Sequence, residues 1–218
     1  KAFATPAACV IAQSPNFFGC IEPMAEIGAA AHASGALFVA AAYPISLGLL
    51  QPPSEAGADI VVGEGQCLGS ALGFGGPYLG IFACKDALKR RLPGRIVGET
   101  VDKNGRRGYV LTMQAREQHI RRDKATSNIC TNQSLLALTA SIYLSSLGKE
   151  GFRRVAETNA VRGRQLREAL LGVKGVRAAF DQPFFNEFTV ILDKPAAAVQ
   201  DALLKEGYIA GLNLEKCY

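Results

Sequence analysis

Histidine is the scarcest chemically useful residue in this sequence: His32 and His119 are the two it has. A histidine-based metal centre or a histidine-led hydrolase triad has little to build on, and both rank low. Cysteine is less scarce, but Cys9, Cys20, Cys67, Cys84, Cys130 and Cys217 are scattered, with no C-x-x-C pair and no local Cys/His cluster. That spacing argues against a local zinc site and a small disulfide framework. It points to buried thiols in a reducing compartment, the cytoplasm. No apolar run approaches the ~20 residues that span a bilayer, although 49% of the residues are hydrophobic. The start lacks the order of a secretory signal, which is a basic region, an apolar block and a small-residue cleavage site. Instead "ACVIAQSPNFFG" reads at once as a strand running into a loop, so the chain is expected to begin in the middle of a fold.

With 218 residues there is room for one large or two modest units. Charge is the uneven property. From Lys85 to Lys124 there are twelve Lys/Arg and five Asp/Glu, a balance of +7 in a chain whose total is +5. A basic middle suits an anionic ligand, an acidic partner or nucleic acid, or else it is a solvated face with ordinary ion pairs, as for Lys89, Arg90 and Arg91.

"ACVIAQ", "ALFVAAA" and "DIVVG" carry apolar residues at successive positions, as strands buried on both faces of a parallel sheet do. Between the first two, Met24, Ile27 and Ala31 fall on one helical face, which predicts a βαβ unit. "LGIFAC" reads as a further strand and "KDALKRRL" as a short helix ended by Pro93 and Gly94. Asn104-Gly105 between "RIVGETVD" and "GYVLTM" predicts a hairpin. A buried helix is expected from a cap at Thr131 or Asn132 to a stop at Gly148, and an amphipathic helix from Lys149 to Leu171 with Phe152, Val155, Leu166 and Leu170 on one side. The order then changes to β-β-α-β through "VRAAF", "NEFTVIL", "AAAVQDALLKE" and "YIAGL". Residues 1–148 are therefore read as part of a large α/β domain, and 149–218 as a small, incomplete α+β domain entered by a bridging helix.

The glycine-rich loop "VVGEGQCLGSALGFGGPYLG", with seven glycines from Gly63 to Gly80, follows a strand and must be tested for nucleotide binding. Gly63-x-Gly65 is followed by Gly69, one residue too far for G-x-G-x-x-G, and no Gly-Lys-Ser/Thr is present. A structural loop is the better reading. A pyridoxal phosphate site would need a lysine, and residues 63–76 have none. Lys85 and Lys124 lie nearest, and each reads more simply as a surface charge. Ser34 and His32 sit near a helix end and read as capping. "QAREQHIRRDKATSNICTNQ" is the densest polar stretch. Its Arg116, His119, Arg121, Arg122 and Lys124 can form a phosphate or carboxylate site, or pair with Glu117 and Asp123 in a structural network. Ser127, Asn128, Thr131 and Asn132 suit capping of the helix that follows.

"GADIVVGEGQ", "FGGPYLGIFA", "RLPGRIVGETVD", "GRRGYVLTMQAREQHIRRDKATSNICTNQSLLAL" and "YLSSLG" together resemble the glycine decarboxylase family, the P-proteins of the glycine cleavage system. They are most similar to the α subunits of its two-chain members, and the likeness runs from about "QSPNFFG" to the end. The resemblance implies the fold of type I pyridoxal phosphate transferases: the second half of a large domain around a mostly parallel sheet, then most of a small α+β domain. It also implies a longer subunit, extended mainly at its N-terminal side.

The resemblance further implies glycine dehydrogenase (decarboxylating) activity in an αβ heterotetramer. Glycine is decarboxylated on pyridoxal phosphate, and the aminomethyl group passes to the lipoyl arm of the H-protein. The cofactor is held by the β subunit, subunit 2, through a lysine just before its own glycine-rich loop. With the glycines in register at Pro77, that lysine falls opposite Gln66, and the acid expected beside the pyridine nitrogen falls near Tyr43-Pro44. This chain is then the mate without a Schiff-base lysine, inactive alone, with no covalent cofactor, no metal, no nucleic acid and no membrane. Arg116, His119, Arg121, Arg122, Asn128 and Asn132 become residues of the active-site mouth or the subunit interface. The basic middle would receive glycine carboxylate, cofactor phosphate or an acidic H-protein surface. A fold-retaining pseudoenzyme or assembly scaffold is the alternative.

Overall fold

The computed structural model describes residues 6–125 and 133–216. Four strands form the main sheet in the order β1 (Cys9–Ser14), β2 (Leu37–Ala42), β3 (Ile60–Glu64) and β4 (Gly80–Cys84). β1, β2 and β3 are parallel, and β4 runs antiparallel at the edge. Helix α1 (Met24–Ala33) joins β1 to β2 and buries the expected stripe, with Ala31 fully covered and Met24 and Ile27 packed beside it. Val10 and Ala12 of β1, Phe38 and Ala40 of β2 and Val61 of β3 meet this stripe from one face of the sheet. Gly28 permits the close approach, because a Cβ there would lie 2.6 Å from the Ala56 carbonyl oxygen and 2.9 Å from the Phe38 ring.

The expectation that all three parallel strands are buried on both faces holds only for β2. β1 alternates, and Ile11, on the face away from α1, is 68% exposed. A period of two along a strand places Ile11 and Val10 on opposite faces, and only the face under α1 is covered at this edge. The thiols depart from expectation as well: Cys20 is buried, Cys67 and Cys84 are partly buried, and Cys9 is exposed.

Beyond β4 the short helix read from "KDALKRRL" forms as a 3-10 helix, Asp86–Arg91. The predicted hairpin then forms from β5 (Ile96–Val101) and β6 (Arg107–Thr112). Asp102 accepts the Gly105 N–H at its carbonyl, and Gly105 takes φ +77°, the left-handed residue such a short loop needs. A four-residue helix α2 (Gln118–Arg121) follows, then a 3-10 turn at Arg122–Lys124.

Helix α3 (Ser134–Leu171) carries the expected break at Gly148, where φ 60° and ψ −174° leave the helical region. The expected caps Thr131 and Asn132 lie outside the described residues. The first segment of α3 is not buried all round: Ala140 is covered, whereas Leu135, Leu138 and Ile142 are exposed. Only one side of this segment meets a neighbour. Past Gly148, Phe152 and Val155 pack inward as read, joined by Ala156, but Leu166 is exposed.

The C-terminal stretch forms a two-stranded antiparallel pair, β7 (Val176–Ala178) with β8 (Val190–Leu192), followed by helix α4 (Ala196–Lys205). "YIAGL" is not a strand, so the order is β-β-α among the described residues. A second core gathers Ile45, Leu68, Ala140, Ala156 and Phe185, joining residues before and after Gly148. Ala156 meets Gly48 there so closely that a Cβ on Gly48 would lie 2.7 Å from its methyl group.

Candidate functional site

The loop between β3 and β4 begins at the C-terminal end of a parallel strand, where open α/β sheets place their ligands. Glu64 organises it. One carboxylate oxygen, Oε1, accepts the Gln66 N–H at 2.8 Å and the Leu79 N–H at 3.0 Å, tying the two ends of the loop together. The Gly65 N–H adds a bond to the Leu79 carbonyl at 2.6 Å. Gln66 bonds inside the loop too. Its Nε2 donates to the Ser70 carbonyl at 2.8 Å, and its own carbonyl accepts the Ser70 N–H at 3.1 Å.

Two glycines fix how this loop sits. Gly63 passes so close to β2 that a Cβ would meet the Ala42 carbonyl oxygen at 2.7 Å. Gly69 adopts φ +92° with the Tyr143 side chain 2.9 Å from where a Cβ would be. Packing against β2 and α3 therefore accounts for these two positions without a phosphate.

Tyr43, just past β2, occupies the position where an acid was sought. Its ring lies 6.1 Å from that of Phe185 and packs against the second core beside Cys67. Burial pushes its phenol up, Cys67 adds to this, and a hydrogen bond with Asn186 opposes it. Asn186 in turn donates through Nδ2 to Asn159 Oδ1 at 3.1 Å, so Tyr43 enters a polar chain reaching into α3. Burial also pushes the Cys67 thiol up. An amide at Gln66 and a buried phenol at Tyr43 supply neither an amine nor a carboxylate for covalent capture of pyridoxal phosphate at these two positions.

The other lysine readings fail on geometry or position. Lys85 Nζ lies 2.7 Å from Asp59 Oδ1, and it also donates to the Gly57 carbonyl at 3.3 Å. The His32 side chain does not cap the helix, since its Nε2 meets Asp59 Oδ2 at 2.8 Å, whereas Ser34 Oγ does, donating to the Ala31 carbonyl at 2.7 Å. The Phe38 N–H completes the set on Asp59 Oδ2 at 2.8 Å. Burial on its own would raise the Asp59 carboxyl, but Lys85, the Phe38 N–H and His32 outweigh it and hold the group well below the usual carboxylate range. Lys124 is exposed in its turn.

The basic stretch divides in two. Arg116 is drawn inward, its side chain 9% exposed, and it donates through Nη2 to the Gly94 carbonyl. Its Nε is buried without a hydrogen-bond partner, and its Nη2 stands 4.0 Å from Oε1 of the buried Glu117. His119, Arg121 and Arg122 are exposed, with Arg121 Nε donating to the Ala115 carbonyl at 3.1 Å. Arg122 takes φ +53°. Asn128 and Asn132 lie outside the described residues. Among the described residues, no hydrogen bond or ion pair joins the loop of Gln66 to Arg116, His119, Arg121 or Arg122. Nor does any group of three or more His, Cys, Asp or Glu there suit a metal ion.

The family model described as glycine cleavage system P-protein matches residues 2–218. The chain belongs to this family. A curated relative from Desulfitobacterium hafniense, described as a probable glycine dehydrogenase (decarboxylating) subunit 1, is 53% identical over all of this chain and 49% of its own length. A crystal structure of a glycine decarboxylase (P-protein) of the glycine cleavage system, in inhibitor-bound form, superposes with a TM-score of 0.91 at 51% identity, over 95% of this chain and 48% of that one. The Burkholderia pseudomallei sphingosine-1-phosphate lyase shares the fold alone, with a TM-score of 0.58 at 16% identity over 94% of this chain and 45% of that one. This chain spans about half the length of the curated relatives it matches. P-protein membership thus agrees with the mostly parallel sheet. Sequence reasoning missed Glu64 and Asp59, whose partners are brought together only by the fold.

Proposed function

We propose that this chain is part of the α subunit of a two-chain P-protein, which supports glycine decarboxylation without carrying the cofactor. The observation that carries this reading is Gln66, which stands where a lysine is needed and bonds its side-chain amide to the Ser70 carbonyl. Pyridoxal phosphate belongs to the assembled enzyme and is held by subunit 2, where it supplies the electron sink for loss of CO2 from glycine. The lipoylated H-protein then receives the aminomethyl group. The assembly is a cytoplasmic αβ heterotetramer.

In this reading Arg116, His119, Arg121 and Arg122, with Asn128 and Asn132, belong to the active-site mouth or the subunit interface. The exposed cations among them draw in anionic groups, whether glycine carboxylate, cofactor phosphate or a carboxylate of the H-protein. The chain divides at 148 into large-domain and small-domain parts, with α3 bridging them.

The test is reconstitution. Alone, the chain is expected to be colourless and inactive; with subunit 2, glycine and lipoylated H-protein, it is expected to restore CO2 release. Equal activity of subunit 2 with and without this chain would overturn the proposal, leaving a scaffold with no part in catalysis. Charge reversal at Arg121 and Arg122 is expected to lower activity with the H-protein, and unchanged activity would remove those two from the mouth.

A further inference from the structure

We propose that residues 183–189 form a clamp that fixes the second segment of α3 and the β7–β8 pair to the main sheet, so that the break at Gly148 is a rigid kink and not a hinge. A non-helical glycine between two helical segments is the natural place for a rotation, and contacts between parts of one chain commonly leave room for it. The contacts of the clamp are of a tighter kind, and both sides of each belong to this chain.

The receiving surface is the loop between β1 and α1. Asn16 Oδ1 holds that loop in shape by accepting the N–H groups of Phe18 at 2.9 Å and Cys20 at 3.0 Å. The clamp meets it backbone to backbone: the Ile21 N–H donates to the Pro183 carbonyl at 2.8 Å, and Cys20 and Phe184 form an antiparallel bridge. At the other end Thr189 Oγ1 donates to the Phe18 carbonyl at 3.1 Å, across 171 residues of sequence. Between these two attachments Gly19, at φ +89°, lies so close that a Cβ would collide with the Glu187 carbonyl.

The middle of the clamp turns inward. Phe185 is 2% exposed and sits in the second core among Ile45 and Leu68 from the sheet side, Ala140 from before Gly148 and Ala156 from after it. Asn186 bonds both Tyr43, past β2, and Asn159 of α3. Gly163 lets α3 approach, since a Cβ there would lie 2.9 Å from the Asn186 Cα. A swing about Gly148 would have to pull Phe185 out of that core and break the Ile21–Pro183 bond, and a close-packed interior does not yield by small steps. The wall made by Tyr43 and the Gln66 loop therefore keeps one shape, because the clamp and α3 cannot withdraw from it separately.

The test is native-state hydrogen exchange of the full chain, read by mass spectrometry at rising urea below the unfolding transition. Residues 16–22, 155–166 and 183–189 are expected to open together, with one urea dependence, as a single cooperative unit. Gly19→Ala is expected to speed exchange at 16–22 and 183–189 alike by at least ~10-fold, and the milder Thr189→Val by about threefold in both. Gly35→Ala is the control, since φ is +76° there and nothing stands within 4 Å of a Cβ; it should leave 183–189 within about twofold of the unmodified chain. Opening of 183–189 at lower urea than 16–22 in the unmodified chain would overturn the clamp and restore the hinge. So would a Thr189→Val chain in which 183–189 loosens and 16–22 does not. These two comparisons decide the matter even where Gly19→Ala does not fold, and neither draws on catalytic activity, so the outcome is separate from that of the proposed function.

Discussion

The loop that holds Gln66 has its two ends tied by Glu64, while the β5–β6 ribbon after it leaves large apolar side chains facing water. Glu64 closes the loop, Gln66 pairs with Ser70, and Tyr43 is packed beside Cys67 and Phe185. In the basic stretch, Arg116 and Glu117 are buried, and His119, Arg121, Arg122 and the ribbon face are exposed. Glu64 and Gln66 hold the outline of the loop, within which Ser70 Oγ is buried without a hydrogen-bond partner.

That contrast can be broken at its anchored side first. Asp59→Ala removes the acceptor shared by Lys85, His32 and the Phe38 N–H, and it is expected to cost about 2–4 kcal/mol in urea unfolding. Lys85 and His32 are partly exposed and rehydrate, so the loss falls below that of a fully buried pair. An effect under about 0.5 kcal/mol would show that the corner does not hold the sheet.

Gly69→Ala is expected to cost about 1–3 kcal/mol, because alanine must take a left-handed conformation against Tyr143. Gly207→Ala supplies the comparison, since φ is +84° there and nothing stands within 4 Å of a Cβ. The difference between the two isolates packing from backbone strain. Equal losses would mean the loop is not seated on α3.

Acid gives a weaker and reversible version of the Asp59 test. The folded carboxyl titrates below its unfolded value of ~3.9, so its contribution is complete above that pH and is lost as pH falls through the folded value. Stability of the unmodified chain should therefore drop more steeply below about pH 4 than that of Asp59→Asn. Parallel curves would contradict the pairing. On the open side, Val101→Ser is expected to change the stability of the isolated chain by less than about 0.5 kcal/mol, and a larger loss would mean that the ribbon face already packs on its own chain.

The elements were legible in the sequence wherever the cause is local. Asn104-Gly105 made the hairpin, Gly148 broke the long helix, and the stripe of Met24, Ile27 and Ala31 faced the sheet. Burial was not legible to the same degree. Leu135, Leu138 and Ile142 are apolar because something can cover them, and the sequence does not say whether the covering surface is in the same chain. "YIAGL" has strand composition but pairs with no strand among the described residues. At the site, the sequence offered Gln66 as the proposed counterpart of the cofactor lysine, by register within the family. The roles of Asp59, His32 and Lys85 could not be read there, since each lies more than twenty residues from the next in sequence, and the packing of α1 on the sheet and the antiparallel pairing of β4 with β3 bring them together.

Borohydride reduction of the assembled enzyme, followed by mass mapping of both subunits, tests the central claim most directly. The account predicts that the cofactor is fixed to a lysine of subunit 2 and that every lysine of this chain is recovered unmodified. Cofactor fixed to Lys85, Lys124 or any other lysine of this chain would contradict it.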